Sequence, residues 1–268
     1  NYNVMKQADL SDKGWTFGDE RVLSLKQKIE QIGIPLKNWN VKIYRGVLTG
    51  FNEAFIIDDS TKNMILAHCD EKERERTEAL MKPILRGKDI EKWRYKWADL
   101  WLIKIEAGWT NKNRGGQNPE VFFQNTFPSL YNYFMTFKDY KGKGKGLFNR
   151  DDQGDYWWEL RHCDYYSEFE KEKVVWAETD QGLNTAIVPQ GVYLQKTCFI
   201  IIAKKPRLIN AILNSNIAQW YIRQIASSLG ERTLSLTKEA VQQIPIPPIT
   251  PYNQHIAKQI EDLVNQIL

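Results

Sequence analysis

The sequence predicts an α+β chain, a mixed, β-rich domain with flanking helices that runs into a C-terminal helical segment. Short runs of Val, Ile, Thr and aromatic residues, bounded by Gly, Asn and Pro, recur between residues 41 and 203. From Pro206 the apolar period changes to that of helices. The 268 residues are 42% hydrophobic and 26% charged, the balance of a globular chain able to bury a sizeable core. The expected division is a connector at 1–18, an α+β domain at 19–205 and a helical tail at 206–268. No internal repeat is present.

Residues 19–32 predict an amphipathic helix, with Val22, Leu25, Ile29 and Ile32 on one face, Asp19 as cap and Gly33 and Pro35 as the stop. Residues 41–47 and 54–57 predict the two strands of a hairpin about a polar turn, with Gly46 and Gly50 easing the bends. Residues 63–67 continue as a strand, and 70–80 form a helix whose alternating charges make a solvated face. A buried strand is expected at 100–105, a Gly- and Asn-rich loop at 108–120, and a helix from Pro128 with Leu130, Tyr131, Phe134 and Met135 inward. Residues 141–146, KGKGKG, read as a flexible basic loop. Strands follow at 173–176, 185–188, 192–194 and 197–203. Beyond Pro206 two helices are separated by the capping residue Ser215, IPIPP is an extended hinge, and a last helix opens at Thr250 and Pro251.

Net charge is +4, which permits a polyanion partner without requiring one and excludes a domain that binds by charge alone. Apolar runs fall far short of a membrane span, so no membrane partner is expected. The chain opens on Asn rather than Met and reads as an excised piece of a longer intracellular polypeptide. Cys69, Cys163 and Cys198 are odd in number and widely spaced, which fits reduced thiols in the cytoplasm and no disulfide framework. Two of them follow histidines, as His68-Cys69 and His162-Cys163, without the ligand spacing of a metal site, so no metal ligands are assigned.

No catalytic centre is expected either. The one Pro-Pro pair lacks the Asn and aromatic of an adenine methyltransferase corner, and Gly142, Gly144 and Gly146 lack a β-to-α crossover. Pro119-Glu120 with Asp139-Tyr140-Lys141 matches the loose pattern of a metal-dependent nuclease, in which two acids hold Mg²⁺ and a lysine orients water. That leaves a stand-alone nuclease as an alternative. A protein-interaction module using the tryptophans and tail helices is another.

Binding chemistry is better represented. Thr49, Asn52 and Glu53 set donors and acceptors at a turn that could read base edges, or that is simply solvated. Lys82, Arg86 and Lys88 surround Gly87, suiting backbone contact or a guanine read by Arg86, or a plain charged turn. Lys141, Lys143 and Lys145, with Arg150 beyond them, could settle on phosphates. One ring of the adjacent pair Trp157 and Trp158, near Arg161, could stack on a base, and the other belongs to the core. Arg232, in a polar loop, either touches DNA or neutralises a helix end.

Six stretches resemble, in order, the TaqI-like C-terminal specificity domain, the target-recognition module of type II restriction–modification enzymes. They are RGVLTGFNEAF (45–55), KPILRGKDIEKW (82–93), YWWELR (156–161), KVVWAE (173–178), INAILNS (209–215) and IPIPP (244–248). The resemblance implies a sequence-specific binder of double-stranded DNA in a prokaryotic cytoplasm. It implies a methyltransferase domain, with or without a nuclease domain, upstream or on a partner chain. S-adenosylmethionine and Mg²⁺ are implied only for those domains, and no cofactor is expected in this chain. By position, Thr49, Asn52 and Glu53 are expected to read bases or to support the turn that does, and Arg86 to read a base or contact phosphate. The phosphate contacts would fall to Lys82, Lys88, Lys141, Lys143, Lys145, Arg150, Arg161 and Arg232. The last portion is similar to the end of a recognition domain in type I specificity subunits, where a scaffold or dimerisation helix follows.

Overall fold

The computed structural model describes residues 20–268. The expected connector at 1–18 and the capping role of Asp19 lie outside the described residues. Eight strands make two four-stranded sheets. In chain order they are β1 (Lys42–Arg45), β2 (Ile56–Asp58), β3 (Met81–Leu85), β4 (Leu100–Ile103), β5 (Lys173–Ala177), β6 (Thr185–Val188), β7 (Tyr193–Leu194) and β8 (Cys198–Ile202). The first sheet runs β1-β8-β5-β6, all antiparallel, with Ile200 opposite both Tyr44 and Val175. The second runs β2-β4-β3-β7, antiparallel except where β3 meets β7.

The first sheet is a wall between two cores, because its side chains alternate and both faces are covered. Ile43, Val174, Trp176, Ile187, Phe199 and Ile201 face one core. That core is closed by helices α7 (Pro206–Leu213), α8 (Asn216–Ile225) and α9 (Gln254–Ile267). Val175, Ala186, Val188 and Ile200 face the other, which holds the second sheet and most of the aromatic residues. Helix α9 packs along α7, with Lys205 paired to Glu261 at 3.0 Å. The IPIPP stretch is extended as expected, and Pro245–Ile246 also pairs with Ile34–Pro35 as a short ribbon.

The expected α+β class, the four strands between 173 and 203 and the helices beyond Pro206 are present. So is α1 (Glu20–Ile32). Several local expectations are corrected. Residues 41–57 are not a hairpin: β1 joins the first sheet through β8 while β2 joins the second through β4. Between them the chain crosses from one sheet to the other, and residues Asn52–Phe55 make a helical turn. Residues 63–67 belong to helix α2 (Asp59–Ala67), because the Asp58 carboxylate accepts from the Thr61 amide at 2.8 Å and starts a helix. The loop expected at 108–120 contains α4 (Trp109–Asn113) and leads into α5 (Pro119–Thr126). Helix α6 (Pro128–Met135) starts where expected. Helix α3 (Glu71–Leu80) is not wholly solvated: Glu73 is buried and accepts from the Ser129 amide and hydroxyl, both at 2.8 Å, at the start of α6. Among the described residues, no helix is long and apolar enough to cross a membrane.

Lys173, at the head of β5, is fully buried. Its ammonium donates to the carbonyls of Phe169, Lys171 and Pro189 at 2.7, 2.8 and 2.9 Å. Burial pulls its pKa from 10.5 down to about 8, against the opposing pull of Glu170 and Glu172. Between those values the unfolded chain holds the proton more tightly than the folded one, so stability rises with pH across this window. Lys173→Met removes that dependence. The unfolding free energy of the native protein, measured in urea, should gain roughly 2 kcal/mol on that of the variant between about pH 7 and about pH 10. Parallel pH profiles for the two proteins would contradict the assignment.

Candidate nucleic-acid interface

The charged and aromatic residues singled out in the sequence fall into three places. The first is a buried knot. Arg150 lies inside, its Nε donating to the carbonyls of Thr49 at 2.9 Å and Asp152 at 3.2 Å. Its Nη1 donates to Leu147 at 2.8 Å and to Trp157, and its Nη2 to Glu159. The guanidinium also sits 4.6 Å from the centre of the Phe55 ring. Burial lowers its pKa to about 10, which leaves it charged at neutral pH. Arg150 is thus a strut between chain segments and not a free phosphate contact. Four of its five N–H groups go to carbonyls.

The tryptophan pair completes this knot and lies in a turn, not on the expected strand. Residues 156–159 form turns. Trp158 is enclosed between Phe123 and Tyr156, each 4.9 Å away and nearly parallel, and its indole donates to Thr110 at 2.9 Å. Trp157 is partly buried and packs on Phe148 at 4.3 Å and edge-on to Trp158 at 5.1 Å. Neither face of Trp158 is open to a base. The buried Glu159 carboxylate accepts from the amides of Gly108, Thr110 and Asp155 at 2.9–3.0 Å. Motif YWWELR therefore builds structure.

The second place is an outer patch. Thr49 is buried and its hydroxyl donates to Asn52 at 2.7 Å, so it shapes the turn and does not face solvent. Asn52 and Glu53 are exposed. Phe51 packs edge-on against Tyr140 at 4.8 Å, which brings the loop of Lys141, Lys143 and Lys145 beside this turn. Lys145 pairs with Asp151 at 2.5 Å and Arg161 with Asp152 at 3.1 Å. Lys82 is half-buried on β3, opposite Leu102.

The third place is an open cleft of about 730 Å³. Arg86, Gly87, Lys88 and Lys92 line one side, Thr179, Asp180 and Asn184 another, with Gln195 and Thr197 between the strands that meet there. Arg86 caps the turn Gly87–Asp89, and Asp89 accepts its Nε at 3.0 Å, its Nη2 at 2.8 Å and its amide at 2.8 Å. Those bonds raise the pKa of Arg86 and fix its guanidinium in place. Gly87 packs closely: a Cβ there would lie 3.2 Å from the Cβ of Ala177, closer than most such contacts.

Beyond the turn the chain doubles back in a tight hairpin. Ile90 bridges Tyr95, the Glu91 amide donates to Arg94 at 2.8 Å, and the Lys96 amide to Asp89 at 2.8 Å. Trp93 takes the left-handed position at its tip, with φ +74°, where glycine or asparagine is usual. Such a residue stores about 1–3 kcal/mol of strain. The bond from its amide to Thr185 at 2.9 Å, with its ring partly buried against the helix-side core, holds it there. Arg94 and Lys96 pair with Glu91, and these contacts, Arg94 first, lower the Glu91 pKa. Lys88 and Lys92 are exposed and have no ion-pair partner among the described residues.

A ribbon borders the far side. Thr179–Asp180 pairs with Leu234–Ser235, which pairs with Ser227–Ser228. Its tip, closed by the Leu229 amide donating to Thr233 at 2.8 Å, runs past Asp180 and carries the exposed Arg232. Of the residues expected from sequence, Arg86 and Lys88 line this cleft, and Arg232 lies on the ribbon beside it. Lys92, Asp180, Asn184, Gln195 and Thr197 were not anticipated. The run Lys92, Arg94, Lys96 at every second residue is a signal for an exposed basic strand. The others meet only through non-local pairing. For the nuclease alternative, Glu120 accepts from the Tyr131 hydroxyl at 3.0 Å. Among the described residues, no three His, Cys, Asp or Glu side chains gather as metal ligands.

Comparison with known proteins supplies the family. Residues 82–246 match the model of the TaqI-like C-terminal specificity domain. The chain belongs to that family, and the matched span contains every residue lining the cleft. The fold is similar to that of the type IIG restriction endonuclease BpuSI, with a TM-score of 0.51 and 12% identity, over 90% of this chain and 28% of that one. It is also similar to the type IIL restriction–modification enzyme MmeI, solved in complex with DNA, with a TM-score of 0.56 and 14% identity, over 83% of this chain and 27% of that one. The chain thus spans under a third of the length of either enzyme. No curated protein matches its sequence significantly.

The knot makes a direct prediction. Arg150→Lys keeps the charge but cannot reach carbonyls from five residues at once. It should lower the unfolding free energy in urea by roughly 2–4 kcal/mol. An unchanged stability would mean that the guanidinium is not the strut described.

Proposed function

We propose that this member of the TaqI-like specificity family recognises a short sequence in double-stranded DNA on behalf of a restriction–modification enzyme. In this reading it positions a methyltransferase domain, and a nuclease domain where the enzyme also cleaves, both lying outside these 268 residues. The observation that carries the proposal is the cleft. Within the family-matched span, lysines without an ion-pair partner among the described residues border a concave surface lined mostly by polar residues, between the hairpin and the ribbon.

The chemistry divides as in other DNA-binding proteins, where contacts to phosphate position and contacts to base edges specify. Lys88, Lys92 and Arg232 project from the rims and suit phosphates. Arg86, tied on one side to Asp89, keeps its Nη1 for a base edge or a phosphate. Asn52, Glu53, Lys141 and Lys143 form a flanking patch that a longer duplex could reach. The buried Thr49, Arg150 and Trp158, with the partly buried Trp157, support the surface from beneath. S-adenosylmethionine and Mg²⁺ would serve the catalytic domains, and no residue of this chain is assigned to either. A role on cellular DNA fits the cytoplasm of a prokaryote.

Two measurements test the proposal. Incubated with random-sequence duplexes, the protein should retain and enrich one short site after sequencing, and retention without enrichment would contradict sequence recognition. Lys92→Ala should weaken binding to all sequences alike and reduce the slope of log K against log salt by about one. A slope equal to that of the native protein would remove Lys92 from the interface.

A further inference from the structure

We propose that Gln195 reads an adenine, an inference that rests on the reading of this chain as a DNA-recognition module. Its main chain is fixed from several directions. The Gln195 amide donates to Leu85 at 2.9 Å, its carbonyl accepts from Cys198 at 2.9 Å, and Val47 bridges it from the other side. The next residue is anchored as well, since the Lys196 carbonyl accepts from Arg45 at 2.7 Å. The backbone of Gln195 therefore sits where the two sheets join, held by hydrogen bonds from several segments.

Its side chain is the opposite. Gln195 is half-buried and lines the cleft, yet its amide has no hydrogen-bond partner among the described residues. The other planar groups of the cleft are committed: Asn184 donates to Asp180 at 2.8 Å, and Arg86 gives Nε and Nη2 to Asp89. A free carboxamide on a fixed backbone offers one acceptor and two donors in a plane. That pattern complements N6 and N7 of adenine in the major groove, and it suits no other base edge there in bidentate fashion. Lys88 and Lys92, on the same cleft, would hold the phosphates that bring the base edge to it.

The test is selection from random duplexes with the native protein, Gln195→Ala and Gln195→Glu, each first checked for an unchanged melting temperature. The native protein should select a site that contains an adenine whose preference falls about ten- to hundredfold in Gln195→Ala, with the other positions retained. Gln195→Glu, an acceptor only, should move that one position toward cytosine. An alanine variant that selects the same site with undiminished preference at every position overturns the inference and leaves the recognition role standing. So does a loss confined to a guanine, cytosine or thymine position, or a weakening equal across all sequences. A native protein that selects no site fails the recognition reading itself, and the inference falls with it.

Discussion

Where the two sheets meet, Gly46 lies against the main chain of Leu194 and Gln195 so closely that a Cβ would stand 2.1 Å from the Gln195 carbonyl. Its amide donates to Cys198 at 2.8 Å in the first sheet, and the next amide, of Val47, donates to Leu194 at 2.6 Å in the second. One residue without a side chain thus lets the chain leave one sheet and enter the other with its hydrogen bonds unbroken. The cleft depends on this join. Arg86 follows directly from β3 and Gln195 from β7, which pair side by side, while Ala177 ends β5 and Thr179 lies just beyond it in the neighbouring sheet. Were the join looser, these ends would not converge.

Charge is distributed by the same logic. Arg150, Glu159, Glu73 and Lys173 are buried, and each is matched to main-chain or hydroxyl groups that satisfy it. Leaving such groups unpaired would cost several times what an exposed ion pair contributes. They fix loops that have little regular structure of their own. Lys88 and Lys92, which are among the described cations without an ion-pair partner, stand at the cleft, where a flexible charged side chain can exchange water and counterions for phosphate at small cost. A net charge of only +4 is consistent with recognition by a local surface instead of a uniformly basic one.

The readable parts of the sequence were those whose burial pattern is local. Strands β5, β6 and β8 are dense in β-branched residues, and α7 opens at Pro206 with a strong apolar face, so both were legible. The supposed hairpin at 41–57 misled because a strand–turn–strand pattern does not reveal that its halves pair with different, distant partners. An aspartate cap overrode the apolar run at 63–67. At the site, two basic residues near glycine, Arg86 and Lys88, line the cleft, but the same logic placed the buried Arg150 among surface contacts. No local feature distinguishes an arginine bound to phosphate from one bound to five carbonyls. Gln195 was invisible, since a lone glutamine acquires meaning only from the strands that hold it.

The central claim is that DNA lies in the cleft between the hairpin and the ribbon. Amide hydrogen exchange of the free protein and of its complex with a selected duplex tests this most directly. The account predicts slowed exchange at residues 86–96, 179–184, 195–197 and 229–233, with a lesser effect at 141–146 and none at 254–267. Slowing confined to 49–53 and 141–146, with residues 86–96 unaffected, would contradict it and move the interface to the outer patch.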